Sequence, residues 1–173
     1  MLPAFPPTDV LEAAAAGATF IPVTKRWPAD LETPLTTWLK VGAESGHGVL
    51  LESVEGGEQV GRWSFVVCDP VWTLTCRGDE AQRTWRDGRH ETLRGDPLAL
   101  LDQCLAPIRP APIADLPPVG QLFGIWSYEL IRWIEPRVPV HATAANDPPD
   151  GCWMLADSLL VFDQVKRQIT AVA

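Results

Sequence analysis

The sequence predicts an α+β fold, with antiparallel β-sheets packed against a few helices. Three features carry this expectation. Short apolar or alternating runs are separated by turns rich in Gly, Pro and Asp. Only two segments open with a clear helix start, Thr33-Pro34 and Asp96-Pro97, each a side-chain cap followed by proline at the first helical position. The strand-like runs outnumber the helices and lie next to one another in the chain, which suits pairing between sequence neighbours.

Residues 1–20 read as a poorly specified lead-in with at most a short Ala-rich helix, and residues 21–173 as one domain. Ile21–Val23 is expected as a short edge strand ahead of Pro28. In the helix that follows Thr33, Leu35, Trp38 and Leu39 fall at i, i+3 and i+4, which predicts a single apolar face. Val49–Leu51 is a strand bounded by glycine, and Val54–Glu58 a turn. Trp63, Phe65 and Val67 alternate with Ser64, Val66 and Cys68 as a strand with a buried face. Asp69-Pro70 breaks it, Val71–Cys76 resumes the pattern, and Arg77-Gly78-Asp79 turns the chain.

Gln82–Arg86 and Arg89–Leu93 flank Asp87-Gly88, the signature of a two-residue type I′ hairpin. The helix from Pro97 places Leu98, Leu101 and Leu105 at i, i+3 and i+7 and is closed by Pro107. Gly120–Trp126 is expected as a central strand and Tyr128–Ile134 as a helix. Trp153–Phe162 and Gln168–Val172 complete the chain as strands around Asp163-Gln164-Val165-Lys166.

Lys and Arg number 14 against 22 Asp and Glu, a net charge of −8, with 46% hydrophobic and 21% charged residues. That balance suits a folded domain and excludes disorder. Its acidity argues against nucleic acid, which is bound by neutralising phosphates with Lys and Arg, and against a membrane surface. No apolar run approaches the roughly 18 residues of a membrane span, and the N-terminus has no secretory signal pattern. Cys68, Cys76, Cys104 and Cys152 form no CxxC pair, and His47, His90 and His141 are isolated. Zinc-ligand spacing is therefore missing, and the cysteines read as reduced thiols of a cytoplasmic protein. Eight tryptophans are too many for one small site and are expected mostly in the core.

Three stretches matter together. Leu50-Leu51-Glu52-Ser53-Val54-Glu55-Gly56-Gly57-Glu58 leads to Gly61-Arg62-Trp63-Ser64-Phe65. Gly124-Ile125-Trp126-Ser127-Tyr128-Glu129 leads to Leu130-Ile131-Arg132. Leu159-Leu160-Val161-Phe162-Asp163 closes the series. In this order and spacing they resemble the N-terminal domain of anthranilate synthase component I, a chorismate-utilising enzyme of tryptophan synthesis. Asp69-Pro70 and Gly95-Asp96-Pro97-Leu98 fall where that family has similar elements, and the likeness runs from Ile21 to Val172. Trp63 stands where the family more often has tyrosine, and Glu129 where it usually has aspartate.

The resemblance implies a subunit that converts chorismate and ammonia to anthranilate and pyruvate. A glutamine amidotransferase partner supplies the ammonia, and a C-terminal domain absent from this sequence binds chorismate and Mg2+. The chain accordingly reads as a fragment, with no catalytic residue and no metal ligand of its own. It also implies a tryptophan feedback site, with Glu52 and Ser53 as first candidates and Arg62 and Trp63 as second. A carboxylate can accept from a ligand ammonium, and a hydroxyl or guanidinium can donate to a ligand carboxylate. On the residues alone, Glu52 and Ser53 read first as backbone partners at a strand–turn junction, and only the resemblance turns them toward a ligand; Arg62 serves equally well as a solvated turn residue and Trp63 as a core aromatic. Two alternatives stand beside this reading. One is the matching domain of aminodeoxychorismate synthase component I from the folate branch. The other is a stand-alone, non-catalytic amino-acid-binding module.

Overall fold

The computed structural model describes residues 8–42, 46–53, 61–112, 115–117, 122–139 and 146–173. In chain order these form α1 (Thr8–Ala15), β1 (Thr24–Pro28), α2 (Pro34–Val41), β2 (Gly48–Leu51), β3 (Trp63–Cys68), β4 (Trp72–Arg77), β5 (Glu80–Trp85) and β6 (His90–Arg94). There follow α3 (Pro97–Leu105), β7 (Leu122–Trp126), a 3-10 turn at Tyr128–Leu130 running into α4 (Ile131–Ile134), β8 (Gly151–Leu155), β9 (Leu159–Asp163) and β10 (Gln168–Val172). The expected α+β class is what the chain adopts. The turn expected at Val54–Glu58 and the start of the strand expected from Gly120 lie outside the described residues; the described part of that strand, β7, stands at the edge of its sheet beside β8 rather than at the centre.

Two five-stranded sheets result, ordered β1-β10-β9-β3-β2 and β6-β5-β4-β8-β7, and every pairing is antiparallel. Alternation along the strands sorts side chains into three apolar clusters. Val67, Val161 and Val172 of the first sheet meet Phe123 and Met154 of the second. On the other face of the first sheet Val66, Phe162 and Ile169 pack with Trp38 of α2. On the other face of the second, Trp72, Leu74, Cys76 and Trp153 pack with Leu100 and Cys104 of α3. The layers are therefore helix, sheet, sheet, helix. All four cysteines are free thiols, and burial pushes the Cys76 thiol up to about 12.

Local signals are met at the helix starts. The Thr33 hydroxyl accepts from the Thr36 backbone N–H at 3.0 Å, and Thr36 returns the contact to the Thr33 N–H at 2.8 Å, a reciprocal capping box. Asp96 caps α3 by accepting from the Leu98 N–H at 2.9 Å.

Several expectations are corrected. The edge strand runs from Thr24 to Pro28 rather than Ile21–Val23, because it pairs with Gln168–Val172; Val23 only exchanges hydrogen bonds with Ala173. Trp153–Phe162 is two strands in two different sheets, divided at Ala156–Ser158. That crossing stands beside the other one, at Asp69-Pro70. Arg86 ties them together, with Nε 3.2 Å from Asp69 Oδ2 and Nη2 2.8 Å from Asp157 Oδ1. Hydrogen bonds from Arg86 hold the Asp157 carboxyl below its ordinary value. The same arginine alters the hairpin. Trp85 N–H bonds to Arg89 O, which leaves a three-residue loop, Arg86-Asp87-Gly88, in which only Gly88 has positive φ, at 86°. This is a longer loop than the type I′ turn expected, since Arg86 is drawn back to the Val71 carbonyl and to the two aspartates.

Helix α2 turns a different face inward, whereas α3 packs Leu101 and Leu105 against the core as expected and departs only at Leu98. Helix α2 buries Pro34 and Thr37 and leaves Leu35 and Leu39 exposed, while α3 buries Pro97, Leu100 and Cys104 and exposes Leu98. In α2 the reason is Trp38. Its ring fills the space beside Gly42 and Gly48, where an added Cβ would stand 2.3 and 2.5 Å from ring carbons. Seating that ring rotates the two leucines away from the sheet.

Candidate functional site

Strand β2 ends at Leu51, paired with Phe65 of β3, so Glu52 and Ser53 are the next two residues past the last registered pair. Both are exposed. Arg62 immediately precedes β3, and Trp63, its first residue, pairs with Asp163 at the end of β9. The four residues singled out in the sequence thus stand at one end of the first sheet.

Asp163 is the residue that organises this end, and sequence reasoning gave it no role although it closes the third stretch. Arg62 grips it with two parallel hydrogen bonds, Nε to Oδ1 at 3.1 Å and Nη2 to Oδ2 at 2.7 Å. The Asp163 carboxylate also accepts from the backbone N–H groups of Val165 and Lys166 at 3.1 and 3.0 Å, which shapes the turn into β10. Burial works to raise the Asp163 pKa. The hydrogen bonds from Arg62 and from the two backbone groups outweigh it, and the carboxyl sits below its ordinary value. The same pairing raises Arg62 above the usual guanidinium value.

The Arg62 guanidinium lies over the Trp63 ring at 4.4 Å from its centroid. Nearby, Gln164 Nε2 donates to the buried Ser64 hydroxyl at 3.3 Å. Arg62 is therefore neither a solvated turn residue nor wholly available to a ligand. Nε and Nη2 are engaged by Asp163, while 31% of the side chain stays exposed. Trp63 packs its ring with the inter-sheet cluster. This end of the sheet carries a carboxylate and a hydroxyl just past β2, and a fixed cation and an aromatic ring where β3 begins.

A separate cavity of about 280 Å³ opens between the sheets at the other end of β2. Val49, Thr73, Phe123, Ile125, Trp153 and Met154 are among its lining residues. It is mostly apolar and was not singled out from the sequence, because its lining comes from four strands distant in the chain. Among the described residues no group of three or more His, Cys, Asp or Glu side chains could hold a metal ion. Also among them, no helix is long and apolar enough to cross a membrane.

Comparison with known proteins gives the class first. No family model matches the chain. The crystal structure of anthranilate synthase component I from Streptococcus pneumoniae superposes with a TM-score of 0.51 at 22% identity, over 84% of this chain and 30% of that one. The two share the fold. Anthranilate synthase component 1 of Synechocystis sp. is 57% identical over 160 residues, 92% of this chain and 32% of its own. The Pseudomonas aeruginosa protein of the same name is 36% identical over 172 residues, 95% of this chain and 34% of its own. Over nearly its whole length the chain is homologous to proteins named anthranilate synthase component 1, and it spans about a third of the length of the curated relatives it matches.

Proposed function

We propose that this chain is the regulatory portion of an anthranilate synthase large subunit, and that tryptophan binds at the end of its first sheet as a feedback inhibitor. The observation that carries this reading is that Glu52 and Ser53 follow the end of β2 where Arg62 and Trp63 lead into its partner β3, in a chain whose relatives are named anthranilate synthase component 1. Those names favour the tryptophan branch over the folate branch, and a span of one third of their length favours a part over a stand-alone module.

In this reading Glu52 accepts from the ligand ammonium, while Ser53 and Arg62 donate to its carboxylate. Trp63 offers ring surface to the indole. Asp163 acts as a positioning residue, holding the Arg62 fork at a fixed angle so that little conformational freedom is lost when the ligand arrives. The chemical step, from chorismate and ammonia to anthranilate and pyruvate, belongs to the remainder of the polypeptide. There too would lie the residues that hold Mg2+. The ammonia would come from a glutamine amidotransferase subunit.

An inhibitor changes activity only through its differential affinity for two arrangements of the enzyme, and a pocket completed from outside this chain would supply that difference. Calorimetric titration with tryptophan is expected to give at least tenfold tighter binding to the intact large subunit than to these 173 residues alone. Equal, tight, stoichiometric binding to both would contradict a shared pocket, and binding to neither would contradict the site.

A further inference from the structure

The geometry points to a second binding site, at the Gly48 end of β2, for a small primary amine that carries an aromatic or other bulky apolar group. It stands apart from the proposed tryptophan site at the opposite end of the strand and does not rest on it. Two cavities adjoin there. The apolar one, of about 280 Å³, lies between the sheets. The other, of about 250 Å³, includes His47, Asp69, Thr84 and Arg86 in its lining. Gly46, His47 and Thr73 line both, so an apolar depth meets a polar mouth.

The depth exists because short side chains meet where the two sheets end. Thr73 pairs in register with Met154, and Cys152 with both Thr75 and Ile125, so these side chains share one face of the second sheet. Met154 belongs to the inter-sheet cluster, which turns that face toward the first sheet. From the first sheet only Gly48 and Val49, among the described residues, reach the cavity, and Gly46 ahead of them has no side chain. An apolar cavity of about 150 Å³ is enough to bind benzene. This one has room for a ring and a short chain.

Charge at the mouth selects the amine. The Arg86 guanidinium donates to Asp157 at 2.8 and 3.1 Å, and its Nε lies 3.2 Å from Asp69 Oδ2. Two carboxylates share one guanidinium, which leaves a net negative charge among these three groups. Asp69 also keeps 69% of its side chain exposed. A ligand ammonium therefore finds a carboxylate acceptor at the mouth, whereas a ligand carboxylate meets repulsion. The apolar group then lies between the sheets, in contact with Val49, Ile125 and Met154.

The test is a titration of the full chain with phenethylamine, followed by NMR through the Met154 methyl group. The chain has two methionines, Met1 and Met154, so methyl labelling gives two signals, and Met154 is a lining residue. A saturable shift of the Met154 signal is expected, with an affinity at least tenfold above that for the carboxylate analogue hydrocinnamate. Asp69 has a left-handed backbone, φ 52°, which asparagine also tolerates. Asp69→Asn is expected to cut the preference for the amine to less than threefold. Gly46→Phe, whose Cβ meets nothing within 4 Å, is expected to weaken amine binding at least tenfold, with far-UV circular dichroism unchanged. Glu52→Gln, at the other end of β2, is expected to leave it within twofold. Four results would overturn the inference. They are no saturable Met154 shift, equal affinity for amine and carboxylate, a full preference kept by Asp69→Asn, and amine binding lost in Glu52→Gln, which would place the probe at the other end of the strand.

Discussion

Gly151→Ala is expected to destabilise the domain by about 3 kcal/mol, at the upper end of the usual cost of overpacking a core. The residue opens β8, and a Cβ there would lie 1.9 Å from Trp153 Cη2 and 2.7 Å from Trp126 Cε3. Neither ring can move aside cheaply. Their centroids are 3.7 Å apart in an edge-to-face arrangement, and Trp153 is 4% exposed, packed with Trp72, Leu74 and Cys76. On the neighbouring strand Gly124 is held as closely, its Cβ position lying 2.2 Å from Trp153 Cδ1 and 2.5 Å from the Cys152 carbonyl. The second sheet is thus assembled around one indole laid across two glycines. Urea unfolding would measure the loss, and Gly46→Ala, where a Cβ meets nothing within 4 Å, is the control expected to change stability by less than about 0.5 kcal/mol.

Asp163→Ala is expected to be the second most damaging change, at about 2 kcal/mol. It leaves the Val165 and Lys166 N–H groups and the Arg62 fork without their acceptor. The cost stays below that of a fully buried pair because Arg62 retains solvent contact, with 31% of its side chain exposed. The effect carries a pH signature. The native Asp163 pKa lies below its unfolded value. Its stabilisation is therefore complete above the ordinary carboxylate value of about 4 and is lost as the pH falls through the lower native value. Asp163→Asn removes that dependence. Between pH 7 and pH 3 the urea midpoint of the native chain should fall further than that of the variant, and parallel curves would contradict the assignment.

The parts of the fold written into short windows of sequence were legible there. Thr33 and Asp96 are caps because a hydroxyl or carboxylate followed by proline at the first helical position leaves few other conformations. The alternation of Trp63, Phe65 and Val67 placed one face of β3 in the core, where it lies. What could not be read was set by residues far apart. Whether Trp153–Phe162 is one strand or two is decided by Arg86, which reaches Asp69 and Asp157 and binds the two sheet crossings together. The inward face of α2 is decided by Gly42 and Gly48 admitting Trp38, and both faces of the helix are apolar enough for periodicity to choose the wrong one.

The candidate site divides in the same way. Glu52, Ser53, Arg62 and Trp63 were named through the resemblance, and strand pairing brings them to one end of a sheet. Asp163 is about a hundred residues further along the chain from Arg62, and only the β3–β9 register reveals that it fixes the guanidinium. A signal was present in the sequence, since an aspartate at a strand end commonly accepts from the turn that follows. Nothing in its spacing pointed to Arg62.

The central claim, a tryptophan feedback site on this chain, is tested most directly by inhibition of anthranilate formation in the intact large subunit carrying Glu52→Gln or Ser53→Ala. Each variant removes one contact to a charged ligand group, a loss of roughly 1.5–3 kcal/mol. The account predicts that tryptophan must be raised about tenfold or more to reach half-inhibition, with turnover in its absence within twofold of native. Unchanged inhibition in both variants would contradict it.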